Sequence, residues 1–74
     1  MVITKEDFER YLVVQRSGVV NMMYRHDVER LSGLTSAQQR AIHEQYAELQ
    51  VRWPMTPQIE AEAEELRAEY AQDK

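Results

Sequence analysis

The sequence predicts an all-α fold: a small bundle of three helices with a helix-turn-helix-like corner, plus a fourth, acidic C-terminal helix. Three observations predict it. Apolar residues recur three and four apart along most of the 74 residues, the period of one helix face. The chain holds two glycines and two prolines, and all four fall where a helix should begin or end. Thr4, Asn21, Thr35 and Thr56 stand where N-caps are needed, and their side-chain oxygens suit the first free backbone N–H groups of a helix. We expect a single helical domain over 1–74, with a body over 1–53 and an acidic helix over 57–71.

The first helix is expected over 5–17. Thr4 with Asp7 has capping-box spacing, and Glu6 and Asp7 suit the positive end of the helix dipole. Phe8, Tyr11 and Leu12 lay down an apolar stripe that Val13 and Val14 widen. Ser17-Gly18 ends it, with Gly18 free to take the left-handed conformation. A second helix is expected over 22–32, capped by Asn21, burying Tyr24, Val28 and Leu31 with Met23 beside them and stopping at Ser32-Gly33. The third, over 36–52, starts on a full capping box, Thr35 with Gln38, behind the apolar Leu34. Its stripe is Ala41, Ile42, Tyr46 and Leu49, extended by Trp53, and Pro54 breaks it. Thr56-Pro57 restarts the chain, because proline is favoured at the first helical position. In the fourth helix Ile59, Ala63, Leu66 and Tyr70 make a narrow apolar seam.

Composition bounds the function. Apolar residues are 43% and charged residues 30%, a globular balance. With no cysteine, disulfides, thiolate zinc sites and cysteine nucleophiles are excluded. Apolar runs such as Tyr11-Leu12-Val13-Val14 fall far short of the about 20 residues that span a bilayer. No signal-peptide pattern opens the sequence, so the expectation is a cytoplasmic protein. A chain of this size buries only about 60% of its unfolded surface, so a partner chain would help its stability. The net charge of −4 is unevenly placed. Acids and bases cancel over residues 1–56, and the whole excess lies in 57–74, on Glu60, Glu62, Glu64, Glu65, Glu69 and Asp73.

Nothing here assembles a catalytic or metal site. His26 and His43 each adjoin an acid, Asp27 and Glu44, but neighbours on a helix point about 100° apart and make no dyad. No histidine pair has metal-ligand spacing. Ser17, Ser32, Thr4, Thr35 and Thr56 sit at helix boundaries, where capping accounts for them. No glycine-rich phosphate loop is present. The expectation is a protein without enzymatic activity and without cofactor or metal.

Two surfaces remain. The stretch from Asp27 to Ile42 reads as helix, glycine turn, helix. In a helix-turn-helix the second helix enters the DNA major groove by its N-terminal residues, here Ser36, Gln38, Gln39 and Arg40. Glutamine pairs with adenine, and arginine with guanine or phosphate. An acidic chain argues against this reading, because phosphate neutralisation supplies most DNA affinity. An αα-corner produces the same pattern with no DNA role. The other surface is the acidic helix. Its candidate contact residues are Ile59, Glu62, Ala63, Glu65, Leu66, Glu69 and Tyr70. They could pair with a second copy, giving a homodimer, or meet another protein.

One resemblance is carried by Ser17-Gly18, Asn21-Met22 and the later Val28 and Leu31-Ser32-Gly33-Leu34-Thr35. The pattern resembles a group of small uncharacterised phage and prophage helical proteins with a Ser-Gly-x-x-Asn-Met motif, over about residues 4–50. Met23-Tyr24 departs from the Phe-Asp usual in that group, and the acidic tail beyond Trp53 lies outside it. The resemblance implies a phage-encoded accessory protein acting inside a bacterial cell. The expected function is therefore non-enzymatic protein–protein interaction through the acidic C-terminal helix, with a partner that is the chain itself or a host factor. A helix-turn-helix regulator, and an acidic inhibitor of a host nucleic-acid-binding or defence protein, are the alternatives.

Overall fold

The computed structural model describes residues 1–72. They form five helices and no strand: α1 (Lys5–Ser17), α2 (Arg25–Ser32), α3 (Ser36–Glu44), α4 (Tyr46–Arg52) and α5 (Pro57–Gln72). The fold is all-α. Its smallest extent, 15 Å, accommodates two helix layers at interaxial distances of about 8–10 Å.

Helix α1 starts as its sequence dictates. The Asp7 N–H donates to Thr4 Oγ1 at 3.1 Å, and the Thr4 N–H donates to Asp7 Oδ2 at 3.3 Å. It stops at Gly18, whose φ of 69° lies in the region open to glycine at no steric cost. The Ser17 hydroxyl donates back to the Val14 carbonyl at 2.7 Å and accepts from the Val19 N–H at 3.4 Å. The same device closes α2. There Ser32 Oγ donates to the Val28 carbonyl at 2.6 Å and accepts from the Leu34 N–H at 3.1 Å, and Gly33 has a φ of 77°.

The second helix begins three residues later than its sequence suggests. Asn21 does not cap it. Its Oδ1 accepts the Met23 N–H and its carbonyl accepts the Tyr24 N–H, both at 2.9 Å. An asparagine that bonds its own backbone two residues on favours a turn over a helix start. The helix begins at Arg25, with Tyr24 as an N-cap whose side chain makes no capping bond. In consequence Tyr24 and Met23 are exposed, not buried. Val28 is fully buried, Leu31 is half-buried, and Met22 packs on the core. The Asn21-Met22 pair thus shapes the link between α1 and α2.

The long third helix is divided at Gln45, which sits at φ −105°, ψ 12°. The Gln45 N–H still reaches the Ala41 carbonyl at 3.0 Å, and the Leu49 N–H reaches the Gln45 carbonyl at 2.9 Å. The apolar stripe therefore continues across the bend. Ala41, Ile42 and Leu49 are buried, and Tyr46 and Trp53 pack on them. Phe8 is the hub. Its ring lies edge-on to Tyr46 at 5.8 Å and tilted to Trp53 at 6.5 Å, while Tyr11 meets Tyr46 edge-on at 6.3 Å. Edge-on aromatic pairs add about 0.5–1.5 kcal/mol beyond area burial.

Helix α5 is part of this core. Thr56 caps it, accepting the Ile59 N–H on Oγ1 at 3.2 Å. Ile59 then joins the cluster of Ile3, Phe8, Leu12, Leu34 and Ile42. Packing of α5 is chiefly against α1.

Candidate functional site

The seam of α5 divides into an inward part and an outward part. Ile59 is 2% exposed and Ala63 is 3% exposed, so both are enclosed within this chain's own fold. Leu66 and Tyr70 are half-buried, while Glu62, Glu65 and Glu69 are exposed. Two arginines fix the helix in place. Arg16 on α1 pairs with Glu60 at 3.0 Å. Arg67 donates from Nε to the Ser17 carbonyl at 3.0 Å and from Nη2 to the Arg16 carbonyl at 3.3 Å. Its Nη1 lies 3.7 Å from Glu64. A cation at the negative end of α1 is favourable by the helix dipole.

These contacts engage Glu60 and Glu64. Glu62, Glu65 and Glu69 have no basic partner within salt-bridge distance among the described residues. They stand instead on the rim of a groove of about 530 Å³ between α1, the end of α2 and α5. Val13, Val14, Leu31 and Leu66 supply its apolar surface. On the α1 side the rim carries Glu6 and Glu9, with Arg10 held 3.7 Å from Glu6.

The second wall was not legible from charge counting, because the acids of α1 are offset by bases elsewhere in the body. A signal was present nonetheless. Glu6, Glu9 and Val13 follow helical spacing and lie on one face.

The four residues at the start of α3 do not form a common exposed face. Gln39 is 4% exposed. Its amide donates to the Arg25 carbonyl at 2.9 Å and to the Leu34 carbonyl at 3.0 Å, tying α3 to α2 across the corner. Gln38 closes the capping box: its Oε1 accepts the Thr35 N–H at 2.9 Å, and its own N–H donates to Thr35 Oγ1 at 3.2 Å. Both glutamines thus make bonds within the fold, Gln39 from a buried position and Gln38 from a half-buried one. Ser36 and Arg40 are exposed, beside a shallow depression that also holds Met1 and Glu44.

His26 and His43 are exposed and far apart in chain position. Among the described residues no three His, Cys, Asp or Glu side chains are grouped to hold a metal ion. Burial pushes the Tyr11 phenol above its ordinary 10.0, the neighbouring Tyr46 adds to this, and Arg25 opposes it. Among the described residues no helix is long and apolar enough to cross a membrane. Comparison with protein-family models, with characterised proteins and with solved structures finds no match.

Proposed function

We propose that this chain is a non-enzymatic accessory protein that acts by binding another protein through the acidic face of α5. The observation that carries the reading is the pairing state of that face. Ile59 and Ala63 are enclosed in the chain's own fold, whereas Glu62, Glu65 and Glu69 are exposed with no cation within salt-bridge distance among the described residues. Unpaired like charges held on one rigid face repel one another and favour an oppositely charged partner. The resemblance of the α1–α2 link to small phage and prophage proteins suggests a phage origin and a partner within the bacterial cytoplasm.

The test is capture from a bacterial lysate on the immobilised chain, beside the triple variant Glu62→Lys, Glu65→Lys, Glu69→Lys. A defined protein retained by the unaltered chain and lost from the folded variant supports the reading. Retention of the same proteins by both chains, or of nothing beyond an unrelated bait, overturns it.

A further inference from the structure

We infer that the groove between α1, α2 and α5 receives a cationic amphipathic helix of another protein. This rests on the interaction role proposed above and names the kind of partner. The groove is two-sided. Its base is apolar, formed by Val13 and Val14 on α1, Leu31 on α2 and Leu66 on α5. Its rims are acidic, with Glu6 and Glu9 on one side and Glu62, Glu65 and Glu69 on the other. The single base on the lining, Arg10, lies against Glu6.

Shape and charge together select the occupant. From Glu6 to Val13 and from Glu62 to Glu69 each wall runs eight residues, or about 10 Å over seven rises of 1.5 Å. That is about two helical turns, the length over which a helix presents anchors at i, i+3 or i+4, and i+7. A helix laid there buries its apolar face on Val13, Leu31 and Leu66 and sets lysines or arginines against both rims. Nucleic acid and anionic lipid carry the wrong sign for such a surface. A small ligand would need the enclosure that this open groove lacks.

The experiment is a titration of the isotope-labelled full chain, followed by amide NMR shifts. The probe is a synthetic peptide of about 18 residues with leucine at helical i, i+3, i+4 and i+7 spacing and lysine elsewhere, a length at which isolated helices begin to form. A scrambled peptide of identical composition has the same charge but no apolar face. The expected result is shift changes concentrated at 6–14, 31–32 and 62–69, with the scrambled peptide bound at least about tenfold more weakly. The variants Leu31→Gln and Leu66→Gln, checked for native helicity, should each weaken the amphipathic peptide by a similar factor. Because the mapping itself needs no variant, loss of fold in either leaves the shift pattern to decide. Equal binding of both peptides, or shifts spread over the whole acidic surface, overturns the inference. Lysate capture lost on charge reversal, with no discrimination between peptides, overturns the groove alone and leaves the interaction role standing. Discrimination in the groove with no lysate capture does the reverse.

Discussion

The guanidinium of Arg67, near the end of α5, donates to the main-chain carbonyl of Ser17 at 3.0 Å and so closes the C-terminus of α1. Fifty residues separate donor and acceptor, and a second bond reaches the Arg16 carbonyl. Helix ends leave carbonyls without intrahelical partners, and here one arginine satisfies two of them while neutralising the dipole. Arg67→Ala should therefore destabilise the chain by about 1–2 kcal/mol, read as a lower urea midpoint. Arg67→Lys should recover part of this, since it keeps the charge but not the planar fork. An unchanged midpoint in Arg67→Ala would show that α5 is not anchored this way.

Gln39 holds the α2–α3 corner from inside. Replacing it by alanine removes two side-chain bonds from a buried position, with an expected loss of about 2 kcal/mol. Gln38→Ala removes only the reciprocal half of the capping box, with an expected loss of about 0.5–1 kcal/mol. Thermal or urea unfolding of the two variants side by side checks the order. Equal losses would contradict the burial of the Gln39 amide.

Tyr11 makes stability depend on alkaline pH. Its folded-state pKa is raised, chiefly by burial, so the folded chain retains the phenol proton after the unfolded chain has lost it. That contribution is fully present below the unfolded value of about 10 and is lost as pH rises through the higher folded value. Unfolding midpoints measured from neutrality to strongly alkaline pH should fall more steeply in the unaltered chain than in Tyr11→Phe. The other tyrosines are common to both chains and cancel in the difference. Parallel curves would contradict the assignment.

Local chemistry made much of this fold legible in the sequence. Thr4, Thr35 and Thr56 cap helices because their oxygens meet backbone donors within three residues, and Gly18 and Gly33 stop them through backbone conformations local to one residue. The features that escaped depend on competition or on distance. Asn21 could cap a helix or close a turn, and the turn prevails. Gln39 looked like a surface side chain until α2 was brought against it. The bend at Gln45 leaves the spacing of Ile42, Tyr46 and Leu49 undisturbed and so has no periodic trace. The α5 half of the groove was visible as an acidic run, but its pairing with the α1 face of Glu6, Glu9 and Val13 emerges only when the two helices pack.

The central claim is that Ile59 and Ala63 of α5 are buried within their own chain, leaving the acidic face for a different molecule. Gel filtration coupled to light scattering, at low and at high salt, tests this most directly. The account predicts the monomer mass of 8.8 kDa under both conditions. A species of twice that mass that survives high salt would contradict it, because the α5 face with Leu66 and Tyr70 would then be joining two copies of the chain.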